Sequence, residues 1–130
     1  MKTYDDVYKT AGAFSWIELT TGNPDAAAAF YGQLFDWRFE KMDMGMPYHV
    51  VKTAEGTAVA GIMGKPPGAE GMPSAWGSYV TVTDADAAAK RCVELGGKVL
   101  SDPMDVPTVG RFAVLQDPQG AVFCVMAYAG

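Results

Sequence analysis

Asn23-Pro24-Asp25-Ala26-Ala27-Ala28-Ala29 is answered further along the chain by Asp84-Ala85-Asp86-Ala87-Ala88-Ala89-Lys90, at an offset of 61 residues. At that offset Ala27 falls on Ala88, Tyr31 on Cys92 and Leu34 on Leu95. In each half these apolar residues recur at i, i+4 and i+7, the period of one helix face. Asn23 and Asp84 have the side-chain oxygen an N-cap needs, and Pro24 falls at the first helical position, where its missing N–H is not used. Each helix follows a strand-like run, Phe14 to Thr20 and Ser78 to Thr83. A repeat of this kind sets the architecture before any single residue is weighed.

Reading outward, helix one runs from Pro24 to about Leu34. Strands follow over Trp37 to Lys41, Tyr48 to Thr53 and Thr57 to Met63, separated by the turn-like Met44-Gly45-Met46-Pro47 and by Glu55-Gly56. In the second half Gly96-Gly97 ends helix two, as glycine does just past a helix. A short strand is expected over Lys98 to Leu100. Arg111 to Gln116 and Ala121 to Tyr128 read as two strands joined by the turn Asp117-Pro118-Gln119-Gly120. The order is β-α-β-β-β, twice. Residues 1–12 form a polar N-terminal arm that packs on the domain or on a partner subunit. Residues 13–130 form one domain: module one at 13–64, a Pro/Gly-rich connection at 65–75 that is a linker or a lid, and module two at 76–130.

With 130 residues, 49% of them hydrophobic and 19% charged, the chain can bury a sizeable core. The formal net charge is -5 and Lys and Arg form no cluster, which argues against nucleic acid. The acidity is compatible with cationic ligands, and more often is simply a device for solubility. No apolar run approaches the ~20 residues of a membrane span. The start, Met1-Lys2-Thr3-Tyr4-Asp5-Asp6, lacks the apolar stretch of a signal peptide. Cys92 and Cys124 are too few for a disulfide framework, so a cytoplasmic protein with reduced thiols is expected.

The doubled unit, the Phe30-Tyr31-Gly32-x-Leu34-Phe35-x-Trp37 run and the Asp117-Pro118-Gln119-Gly120 turn resemble the vicinal oxygen chelate superfamily. That group holds glyoxalase I, extradiol dioxygenases, fosfomycin resistance enzymes and bleomycin-binding proteins. The resemblance covers about Ala13 to Tyr128. It implies an α+β fold: two paired βαβββ modules forming a curled, cup-like mixed sheet, with the helices outside and a ligand in the cup. It also implies a homodimer.

The superfamily's enzymes commonly hold a divalent metal through His and Glu. The positions that would carry those ligands here are Trp16 and Gly77, related by the 61-residue offset, and Cys124, whose first-half counterpart is near Gly61 or at Met63. None is His or Glu. The chain has one histidine, too few for a two-His-one-carboxylate triad in one subunit. No metal and no other cofactor is therefore expected, although a dimer could bring two copies of His49 to a shared site.

Glu18 is the leading candidate. It lies two residues after Trp16 on the first strand, so both side chains share a face. It could act as a general base, hold a cationic group, be neutralised by an Arg or Lys, or sit at a subunit contact. Trp16, Met63, Trp76, Tyr79, Phe112 and Cys124 are the expected walls of an apolar pocket, or else plain core. His49 alternates with Tyr48 and Val50 on its strand and is either structural or catalytic. The expected function is the binding of a small organic molecule without metal. Three alternatives stay open: a lyase or isomerase with Glu18 as base, an atypical divalent-metal enzyme using Glu18 and His49, and a non-catalytic interaction module.

Overall fold

The computed structural model describes residues 7–43, 47–65 and 70–129. Met44-Gly45-Met46 of the expected turn, residues 66–69 of the connection and the first six residues of the arm lie outside the described residues. The chain divides into two compact units, one of residues 16–77 and one of residues 7–15 with 78–129.

The first unit carries β1 (Phe14–Thr21), α1 (Pro24–Phe35), β2 (Arg38–Asp43), β3 (Pro47–Lys52) and β4 (Ala58–Gly64). The strands run in the order β2-β3-β4-β1, with β1 and β4 parallel and the other pairs antiparallel. The second unit repeats the scheme with β5 (Ala75–Thr81), α2 (Ala85–Glu94), β6 (Lys98–Val106), β7 (Gly110–Gln116) and β8 (Val122–Tyr128). Its order is β6-β7-β8-β5, with β5 and β8 parallel and the other pairs antiparallel. The fold is α+β, a βαβββ module used twice.

The caps act as their chemistry dictates. Asn23 Oδ1 accepts the Ala26 N–H at 3.0 Å, and Asp84 Oδ1 accepts the Ala87 N–H at 3.0 Å. Helix α2 ends with the Gly96 N–H on the Val93 carbonyl and the Gly97 N–H on the Cys92 carbonyl, a Schellman arrangement. Gly96 has φ +95°, which a side chain would strain. In the turn before β8, Asp117 Oδ1 accepts from the backbone N–H groups of Gln119 and Ala121.

Each helix packs on one face of its own sheet. In the first unit Leu19, Val51, Ala60 and Ile62 form the buried core, with Ala27 and Tyr31 of α1 and with Trp37 and Phe39 packed on it. Val51 and Ile62 are fully buried, each contributing about 1.5–3 kcal/mol in apolar burial. In the second unit Ala113, Leu115 and Val125 pack with Ala89 of α2. The helical stripe ends sooner than its period suggests: Leu34 and Leu95 are both exposed. Ala28 and Ala89 take up the buried contact instead, and Leu95 is already the C-cap.

Two strands differ from expectation. The short strand expected over Lys98 to Leu100 continues to Val106, through Asp102-Pro103. Strand β6 is outermost, where a missing proline N–H costs no pairing, and register shifts flank Ser101. Strand β5 begins at Ala75, before the expected Ser78, so Trp76 is a strand residue.

In the second unit, Thr81 Oγ1 donates to the Val7 carbonyl at 2.6 Å, and Tyr8 meets the Tyr128 ring edge-on. Arg111 on β7 clamps Asp86 of α2 with two hydrogen bonds, of 2.8 and 3.1 Å, and reaches Asp105 at 3.1 Å. The hydrogen bonds from Arg111 hold the Asp86 carboxyl below its usual range, and the two carboxylates raise the guanidinium's own value further.

Candidate functional site

Strand register decides which side chains share a face. Across β1, β4 and β3, Glu18 aligns with Gly61 and Val50, while Thr20 aligns with Met63 and Tyr48. The intervening row, Leu19, Ile62 and His49, points to the opposite face and packs under α1. Trp16, Glu18, Tyr48 and Met63 therefore share the face turned away from the helix.

There Tyr48 joins the other two polar groups. The Trp16 indole N–H donates to the Tyr48 hydroxyl at 2.9 Å, and that hydroxyl donates to Glu18 Oε2 at 2.7 Å. All three residues are half-buried. Gly61 makes the arrangement possible: a β-carbon built on it would collide with the Tyr48 ring and hydroxyl. Sequence reasoning found Trp16, Glu18 and Met63 but passed over Tyr48. The available signal was the glycine inside the apolar run Ala60-Gly61-Ile62, since a strand glycine marks close approach of another group.

This set does not fit the superfamily's metal. At the position of the first ligand, Trp16 presents an N–H and no lone pair. At the position on β4, Gly61 has no side chain and Tyr48 fills the space one would take. Among the described residues no three His, Cys, Asp or Glu side chains converge on one point.

The second unit repeats the geometry with other chemistry. Tyr79 pairs with Cys124 as Glu18 pairs with Gly61, so Tyr79 and Cys124 stand at the equivalent places. Phe112 shares their face, its ring centroid 6.4 Å from that of Tyr79. Tyr79 is buried and Cys124 half-buried.

Trp76 lies elsewhere. Its indole N–H donates to the Tyr31 hydroxyl at 3.2 Å, and its ring meets Tyr31 and Trp37 edge-on. With Ile17, Phe35 and Val59 these rings border an open apolar groove on the α1 side of the sheet. His49 is also on that side, 5% exposed, with Nε2 3.0 Å from Asp25 Oδ1 and Nδ1 buried with no hydrogen bond among the described residues. The structure thus separates Glu18 from His49: they project from opposite faces of the same sheet, and one subunit cannot direct both at one ion.

The comparisons with known proteins agree with this architecture. The family described as Glyoxalase/Bleomycin resistance protein/Dioxygenase superfamily matches residues 13–125. The chain belongs to that superfamily. It is 44% identical over 117 residues to "Putative glyoxylase CFP32" of Mycobacterium tuberculosis, covering 88% of this chain and 44% of that protein. It is 37% identical over 129 residues to "Anthracycline biosynthesis protein DnrV" of Streptomyces peucetius, covering 88% of this chain and 46% of that protein. The chain thus spans under half the length of these relatives. Among solved structures it is similar in fold to a Streptomyces coelicolor methylmalonyl-CoA epimerase bound to 2-nitronate-propionyl-CoA. The TM-score is 0.64 at 17% identity, with 93% of this chain and 100% of that one covered.

Proposed function

We propose that this chain binds a small organic molecule on the sheet face that carries Glu18, without a divalent metal, and that Glu18 is the polar anchor. The observation behind this reading is the relay from Trp16 through Tyr48 to Glu18. Three polar side chains converge on a sheet face where packing alone would favour apolar ones, and a glycine gives up its side chain to let them meet. Few, well-placed polar groups among apolar neighbours such as Val50 and Met63 are the make-up of a small-molecule site. The bond from Tyr48 holds the Glu18 carboxyl in one orientation. Small-molecule binding also accords with the fold, which this chain shares with an epimerase solved with 2-nitronate-propionyl-CoA.

On this reading the chain works as a homodimer, as the resemblance implies, and in the cytoplasm, as its two cysteines suggest. The Tyr79, Phe112 and Cys124 face of the second unit is an apolar surface of that unit, with Cys124 part of its wall rather than a nucleophile. If a reaction is catalysed, Glu18 is the base, and its loss abolishes turnover rather than binding alone.

Two measurements test the proposal. Elemental analysis of protein purified without chelator is expected to show no stoichiometric divalent metal; a stoichiometric ion overturns the metal-free reading. Fragment screening by ligand-observed NMR is expected to yield binders that Glu18→Gln weakens. Binders indifferent to that change would place the site elsewhere.

A further inference from the structure

Residues 7–12 precede β1 as turns and a bend, outside any strand. Two of their groups are seated on the second unit's sheet, on the face turned away from α2. Tyr79 pairs with Cys124 and Thr81 with Met126, and Tyr128 follows Met126 by two residues, so Tyr79, Thr81, Cys124 and Tyr128 share that face. The core under α2 uses the alternate residues, Phe123 and Val125 among them. The Val7 carbonyl accepts the Thr81 hydroxyl at 2.6 Å, and the Tyr8 ring stands edge-on to Tyr128 with centroids 4.9 Å apart. Both receiving groups are fixed. Thr81 is 4% exposed and its backbone pairs with Gly12 and Ala13, while the Tyr128 hydroxyl lies 2.7 Å from that of Ser15 in the same unit. The arm is held less firmly. Tyr8 is 43% exposed, and Gly12, at φ +89°, gives the chain a pivot where the backbone pairing begins.

We propose that residues 7–12 are a strap occupying, within the chain, a binding subsite of the second unit, and that the ligand displacing it is an aromatic ring joined by a short linker to a carbonyl. The arm's own contacts define that chemistry. A buried hydroxyl donor such as Thr81 is costly to leave unmatched, so whatever replaces the Val7 carbonyl has to accept a hydrogen bond. Whatever replaces Tyr8 has to offer a ring to Tyr128. In the arm the carbonyl and the ring belong to adjacent residues, linked through the peptide nitrogen, Cα and Cβ of Tyr8. That is the spacing of an N-acyl arylethylamine. One neutral hydrogen bond and one edge-on ring pair each favour closure by about two- to tenfold, so the closed strap lowers a ligand's affinity by a factor on the order of ten. The subsite belongs to the other unit from Glu18 and does not rest on the reading of the Glu18 face.

The test uses N-acetyltyramine, which carries the ring, linker and carbonyl of the arm, beside 4-ethylphenol (the ring alone) and N-ethylacetamide (the carbonyl alone). Each is titrated into the full chain and into its Tyr8→Ala variant, followed by the backbone amide resonances of Thr81 and Tyr128. Tyr8→Ala removes the competing ring; Tyr8→Gln serves in its place should that variant fail to fold. N-acetyltyramine is expected to shift both resonances in the variant and to bind it about two- to tenfold tighter than the parent. It is also expected to bind at least about threefold tighter than either half-probe. No shift of these resonances by any probe in the variant overturns the subsite. Equal affinity for parent and variant shows that the arm does not compete, and overturns the strap. 4-Ethylphenol binding as tightly as N-acetyltyramine overturns the carbonyl requirement. The Glu18 reading stands or falls separately, on the Glu18→Gln measurement.

Discussion

The phenol of Tyr48 occupies the volume that a β-carbon at Gly61 would fill. Position 61 lies on β4 and Tyr48 on β3, and the pairing of Val50 with Gly61 and of Tyr48 with Met63 lays the ring back over the glycine. Because the Tyr48 hydroxyl is tied to Trp16 and Glu18, the ring cannot swing aside without breaking those bonds.

Gly61→Ala is therefore expected to destabilise the protein by about 1–3 kcal/mol, the range for overpacking a buried site. Urea denaturation followed by tryptophan fluorescence measures it. The same change in a Tyr48→Ala background should cost much less, since the competing ring is gone. Equal costs in both backgrounds would show that the two positions do not compete.

Tyr48→Phe keeps the ring and removes the oxygen that links Trp16 to Glu18. The expected loss is about 1–3 kcal/mol, because a half-buried indole N–H and a carboxylate each lose a partner. Equilibrium unfolding gives the number, and a loss of the ordered Trp16 indole environment by NMR should accompany it.

His49 is expected to be dispensable. Among the described residues its only hydrogen bond goes to Asp25, whose side chain is 79% exposed, while its other ring nitrogen is buried and unmatched. Replacing such a group by an apolar one of similar size is close to neutral, so His49→Leu should shift stability by no more than about 1 kcal/mol. A loss several times larger in the same unfolding assay would give the imidazole a role that its contacts do not show.

The Arg111–Asp86 clamp makes stability depend on pH. The Arg111 hydrogen bonds lower the Asp86 carboxyl from its reference of 3.8, so the folded state holds the carboxylate more strongly than the unfolded chain does. The contribution is present above the unfolded value and fades as pH falls through the lower, folded one. Arg111→Gln should reduce stability near neutral pH, and the gap between variant and parent should close as acid titrates Asp86. Both groups are exposed, so the effect is small and weakens with salt. Thermal melts across that pH range follow it; a gap that widens in acid would contradict the clamp.

Local chemistry was the legible part of the sequence. Asn23, Asp84, Gly96 and the Asp117–Gly120 turn each act within a few residues of themselves, and each stands where its side chain or backbone freedom requires. The repeat carried the topology, because two copies of one pattern constrain each other. What depends on long-range placement was harder to read. Pro103 signals a strand end, yet it is tolerated because β6 lies outermost, a fact settled only by pairing. Trp76 was expected beside Glu18, but its phase on β5 takes it to Tyr31 and Trp37. The role of Tyr48 needs the register of β3 against β4, which no local signal specifies. Glu18 and Trp16 were found because they sit two apart on one strand, the shortest route by which a sequence reveals a shared face.

The two βαβββ modules place Glu18 and Gly61 in one copy where Tyr79 and Cys124 stand in the other. A doubled scaffold is thus relieved of having to be the same molecule twice. One copy can carry the acidic chemistry while its twin, held by the same backbone ladder, is released to drift towards bulk and thiol. New ligand preferences in such a lineage then require changes at a handful of positions in a single copy, with the inherited architecture untouched.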